Sequence, residues 1–260
     1  MFCRCSSVGR AKDWKSLCRQ FDPVRRHKLS LRHHFSMDVF VYFTLVPFIF
    51  SIILAFLLIR NRSFSMLTLL IVGLFSFLAI VISSVLQLLT SSLFPSLLNE
   101  ENILTLFFNS FIYSGAIEEI VKFFLFYTIL VLIIPSNYKN QEQNPQSRSN
   151  KIERQLLTLA MFFASCFAGF ENISYIIFNI DILTIRLITA SLFHILITSY
   201  YLKTFSNTKK LHVFSITIPI VLHGTYNMFI MIGGFFFFFS FVILFFLLAR
   251  TYQIIRKTCD

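Results

Sequence analysis

The stretch "AIEEIVKFF" (116–124) sets Glu118, Glu119 and Lys122 inside an otherwise apolar run. A charge at the centre of a bilayer costs about 2.5–3.5 kcal/mol or more, so the three must face one another or a water-filled cavity. Glu118 and Lys122, four residues apart, share a helical face and are expected to pair, while Glu119 points about 100° around the axis. One carboxylate would satisfy Lys122 as a structural ion pair. The second, repelled by its neighbour in a low-dielectric site, suits the pair to proton exchange with water.

Three further apolar runs carry groups of the same kind. "GFENISY" (169–175) brings Glu171, Asn172 and Tyr175; Glu171 and Tyr175 share a face, and Gly169 permits close helix approach. Glu171 is equally readable as a structural partner for Lys122 or Arg186 and as part of a site. His194 stands two turns after Arg186 and one turn before Thr198, and "HGTYN" stacks His223 and Asn227 at i and i+4. One intramembrane histidine is ordinarily a hydrogen-bonded packing residue; two of them, with paired glutamates elsewhere, point to a shared site. Carboxylates supply a general base, and histidine and asparagine supply donors where negative charge develops. The same donors are also zinc ligands. Because no HExxH pairing is present and the histidines lie on different runs, a metal-free site without cofactor is favoured, with zinc as the rival.

Such residues need elements to hold them. The chain has 260 residues, 56% of them apolar, including 35 phenylalanines, and a mean hydropathy of +0.74, the composition of a membrane protein. Seven apolar runs near 39–59, 65–89, 113–134, 156–178, 182–202, 213–232 and 235–250 are candidates to cross a core of roughly 30 Å. A weaker apolar stretch, Ile103 to Gly115, reads as a surface helix or an outer extension of the third run. The expected fold is all-α, a polytopic transmembrane bundle of about seven spans, with the active site within the membrane and no soluble domain or repeat. Spans three and five run opposite to four and six, and at about 1.5 Å per residue all the polar groups fall between the outer third and the midplane. The five cysteines show neither a disulfide framework nor zinc spacing. The polar stretch 136–155 reads as a solvated loop, and "FFFFF" (235–239) as lipid-facing bulk.

Of fourteen cations after Met37, twelve follow runs one, three, five and seven, and only Lys122 and Arg186 lie inside runs. The basic loops are then cytoplasmic, with the N-terminus outside for a chain starting at Met37. Residues 1–36, with nine further cations, contradict this arrangement. "SSVGRA" (6–11) and "QFDPV" (20–24) resemble translated arms of a transfer-RNA gene, so the segment is expected to be a read-through extension of a 37–260 domain, with a basic arm as the alternative. From Met37 the fourteen cations face ten acids, a net +4, and no nucleic-acid partner is implied.

Glu118-Glu119-x-x-Lys122, "FAGFENISY", His194 four residues before a hydroxyl, and His223-x-x-x-Asn227 together resemble the PrsW-type intramembrane glutamic proteases, which are similar to the type II CAAX prenyl endopeptidase and bacteriocin-processing superfamily. The resemblance covers about span two to span six. It implies hydrolysis of a peptide bond in a single-span membrane protein, an anti-sigma-factor-like one in PrsW itself, at a bacterial inner membrane. Glu118, assisted by Glu119 and His194, would activate water; His223 and Asn227 would donate to the oxyanion; Lys122 would hold the carboxylates and Glu171 buttress the site. The prenyl-protease branch carries an arginine five residues after the first glutamate, where this chain has Phe123; Lys122 favours the PrsW branch. An ion-coupled transporter uses similar residues, but inverted repeats and broken paired helices are missing from the sequence; a non-catalytic scaffold would tolerate loss of Glu118.

Overall fold

Without water, every backbone N–H and C=O must be satisfied within its own segment, and long apolar runs meet that demand as helices. The computed structural model describes residues 45–60, 64–95, 102–137, 145–177, 184–207 and 214–259, the side chains of 133–137, 145–151, 175–177, 184–187, 202–207, 214–215 and 257–259 excepted. Residues 1–36, and the expectation about their origin, lie outside this range.

The described elements are α1 (Leu45–Arg60), α2 (Met66–Leu93), α3 (Ile103–Phe107), a π-helical stretch (Phe108–Ala116), α4 (Ile117–Asn137), α5 (Pro145–Ile177), α6 (Thr184–Asn207), α7 (Phe214–Ile232) and α8 (Phe237–Cys259). The described part of each of the seven apolar runs is helical but for Ser65, the residue before Met66. Met66–Leu93, Ile152–Ser174 and Gly234–Arg256 are long and apolar enough to cross a bilayer; Leu45–Arg60, Ile188–Tyr201 and Ile216–Ile232 are shorter apolar helices. The protein is an all-α integral membrane protein.

One boundary differs from the sequence reading, and one open alternative is settled. The stretch from Ile103 extends the third run: α3, the π-helical turns and α4 follow one another without a break. The polar stretch 136–155 is not wholly loop, because α5 begins at Pro145. Proline is pre-organised for a first helical turn, and the Gln, Arg, Lys and Glu that follow are good helix formers, so α5 extends beyond its apolar part.

α5 is the central helix. Its apolar window is 72% buried, against 28% for α2 and 22% for α8, whose exposed Leu and Phe side chains form the periphery. Small residues let neighbours close upon it: a Cβ on Gly169 would lie 2.7 Å from the Phe48 ring of α1, and Ser51 of α1 donates to Ser165 at 2.8 Å. Between α4 and α5, Phe123, Phe126, Phe163 and Phe167 are fully buried. This packing holds the charged turn of α4 in the interior.

Candidate active site

The π-helical turns and α7 approach backbone to backbone. A Cβ on Gly224 would meet the Phe111 ring at 2.3 Å, and one on Gly115 would come within 3.1 Å of the Gly224 nitrogen. A side chain at Gly224 would force the Phe111 ring aside, and through this crossing His223 and Asn227 of α7 arrive beside the first turn of α4. The wider π-helical turns, a frequent feature of functional sites, turn Ser114 toward Glu118 and Asn109 and Tyr113 into a cavity.

Glu119 is fully buried. Its Oε1 accepts from Lys122 Nζ and meets His223 Nδ1 at 2.7 Å; its Oε2 accepts from the Tyr201 hydroxyl. Lys122 therefore pairs with Glu119 and not with Glu118, as the i,i+4 spacing suggests. The reason is tertiary: Lys122 Nζ is also drawn to His194 Nδ1 at 3.0 Å and lies over the Phe167 ring, 4.7 Å from its centre, on the side that Glu119 shares.

Glu118 faces elsewhere. Its Oε1 accepts from Gln87 Nε2 of α2 at 3.1 Å and from Ser114 Oγ at 3.2 Å. Its Oε2 is buried with no hydrogen-bond partner among the described residues; His223 Nε2 is 3.8 Å away. Asn227 Nδ2 donates to Ser114 Oγ at 2.8 Å, closing a chain from α7 to Glu118. A cavity of about 430 Å³ runs from here between α2, the π-helical turns and α5, with Glu118, Glu171, Asn227, Gln87, Ser83 and Tyr113 on its wall.

Hydrogen-bonding rules set the histidine tautomers. An ammonium only donates and a carboxylate only accepts. His194 Nδ1 thus accepts from Lys122, leaving Nε2–H to face Glu171 Oε2, 2.8 Å away. His223 donates Nδ1–H to Glu119 and directs the Nε2 lone pair toward Glu118. A donor role for His223 thus requires the ring first to take up a proton. Its rings are walled by Phe193, 5.1 Å away between ring centres, and by His194 at 5.2 Å.

The polar groups of α4, α5, α6 and α7 thus meet in one place. Glu171 partners His194, not Lys122. Asn172 turns away and donates to Ser191 of α6 at 3.0 Å, while Thr198 bonds back to the His194 carbonyl and adds nothing to the site. The side chains of Tyr175 and Arg186 lie outside the described residues. Residue-by-residue reading missed Gln87, Ser114 and Tyr201. Gln87 had a signal, as the lone amide in an otherwise apolar run; Tyr201 had none.

Glu118, His194 and His223, all buried, each offer a donor atom within 4.8 Å of the others. Two imidazoles and a carboxylate form a donor set suited to catalytic zinc, and the unpartnered Glu118 Oε2 is an open valence within it. Glu119 behind His223 Nδ1 is the support that a ligating histidine uses; His194 would ligate through Nδ1 on release of its Lys122 contact, with Glu171 behind Nε2. The residues fit a metal.

No curated protein and no solved structure matches the chain. A family model described as PrsW family intramembrane metalloprotease matches residues 61–250, the span from the start of α2 into α8. That span takes in every residue of the site, and the chain belongs to the PrsW family of intramembrane metalloproteases.

Proposed function

We propose that the protein hydrolyses a peptide bond of a single-span membrane protein inside this cavity, with Glu118 as the carboxylate that meets the attacking water. The observation carrying this reading is the Glu118 Oε2 atom. It is buried, without a hydrogen-bond partner among the described residues, on the wall of a cavity of about 430 Å³, beside a histidine nitrogen whose opposite nitrogen is fixed by Glu119.

Glu118 accepts a proton as the water oxygen adds to the scissile carbonyl carbon. The Asn227 amide, with one N–H engaged by Ser114, has a second for the developing oxyanion. Glu119 holds the His223 tautomer and stabilises the ring when it carries a proton, so His223 can return that proton to the departing amine. Lys122 neutralises Glu119 and orients His194. A zinc ion, which the family description implies, would be held by Glu118, His194 and His223 and would polarise the carbonyl and acidify the water. Glu171 faces the same cavity and holds His194 in place beside that donor set.

The alternation of basic loops supports cytoplasmic placement of those loops and a site in the outer half of an inner membrane. The resemblance supports an anti-sigma-factor-like substrate. The test uses the purified full chain with single-span substrate proteins in detergent or vesicles. Cleavage by the parent and its loss in folded Glu118→Gln and His194→Ala proteins is expected; cleavage that persists in both overturns the reading.

A further inference from the structure

The wall of the cavity opposite α7 belongs to α2, the long peripheral helix, through Ile80, Ser83, Ser84 and Gln87. Hydroxyls in apolar helices ordinarily bond to a carbonyl one turn back, and α2 follows this habit at four places. Ser76 donates to Val72, Thr90 to Leu86, Ser91 to Leu88 and Ser92 to Leu89. Ser83 does not. It is 3% exposed, its Oγ has no partner among the described residues, and it lies on the cavity wall. A buried hydroxyl left unsatisfied is destabilising, so the site favours a ligand that bonds to it.

A substrate that spans the membrane as a helix creates the matching need. Its scissile bond becomes accessible only when the local helix opens, and the opened segment has backbone N–H and C=O groups with no water to receive them. Each is costly to bury unless the enzyme supplies a partner. We propose that the α2 wall is the subsite for this opened backbone, with Ser83 Oγ forming a hydrogen bond to one peptide group beside the scissile bond and Gln87 fixing Glu118 next to it. The ligand class is an extended, helix-broken peptide segment. This inference rests on the peptidase reading for the identity of the ligand.

The probe is a synthetic single-span peptide with a Leu/Ala core and a Gly-Ser centre, with analogues in which one central backbone amide at a time is an ester. Binding is measured to the full-length Glu118→Gln protein in detergent, alone and with Ser83→Ala or Ser83→Thr. Ser83→Ala weakens binding about tenfold, the worth of one hydrogen bond, and Ser83→Thr restores it. One ester position costs the parent a similar factor and costs the Ser83→Ala protein nothing, a non-additive cycle. Equal binding with and without the hydroxyl, additive ester effects at every position, or no binding of the peptide overturns the subsite. Failure of the peptidase reading is seen separately: the protein with Glu118 intact binds the peptide but leaves it whole, or Glu118→Gln still cuts it.

Discussion

Glu118 and Glu119 are chain neighbours in one helical turn, yet they occupy opposite kinds of place. Glu119 is closed in on all sides: Lys122, His223 and Tyr201 take both its oxygens, and none of its surface is exposed. Glu118 has one oxygen anchored by Gln87 and Ser114 and the other unpartnered at a cavity. A buried charge is tolerated when it is paired and hydrogen-bonded, and Glu119 meets that condition in full. Glu118 meets half of it, the condition of a group that acts on something else. The difference teaches that a doubled glutamate need not be a doubled function: one carboxylate builds the site and its neighbour works in it.

Breaking the closed half should have the largest effect. Lys122→Met leaves Glu119 as an uncompensated buried charge and should cost about 3–5 kcal/mol, seen as loss of folded protein in size-exclusion chromatography and thermal unfolding; a fully stable variant would mean that Glu119 is not held as described. Glu118→Gln breaks the working half. It should lower cleavage by about 10²- to 10⁴-fold with an unfolding temperature near that of the parent, and comparable losses of stability in both variants would erase the distinction. Chelation sharpens the same half: cleavage should stop in excess chelator and return with Zn²⁺, with metal content following activity by elemental analysis. Activity unchanged by chelation would assign the proton transfer to Glu118 alone. Gln87→Leu has the smallest expected effect. It removes one anchor from Glu118 Oε1 and should reduce turnover about tenfold, leaving the unfolding temperature within a few degrees of the parent's.

The helices were legible from the apolar runs because hydrocarbon permits a lone segment no other backbone solution, and the site's helices were legible because charges in such runs must be sheltered. Glu118, Glu119, His194, His223 and Asn227 therefore stood out by residue type alone. The helical start of 145–155 did not, since polar composition suits a solvated loop and a solvated helix equally. The passage from Ile103 into α4 was legible only as one of two alternatives, because the choice depends on π-helical turns packed against α7.

Sequence alone determined that charges lie in the membrane on four helices, and hence that those helices gather around them. Only the tertiary structure decided which glutamate Lys122 takes, which oxygen stays unpartnered, and that Gln87 and Tyr201 belong to the site. Helical spacing states which side chains share a face, whereas a buried charge chooses among all donors within about 3 Å, most of which come from other helices.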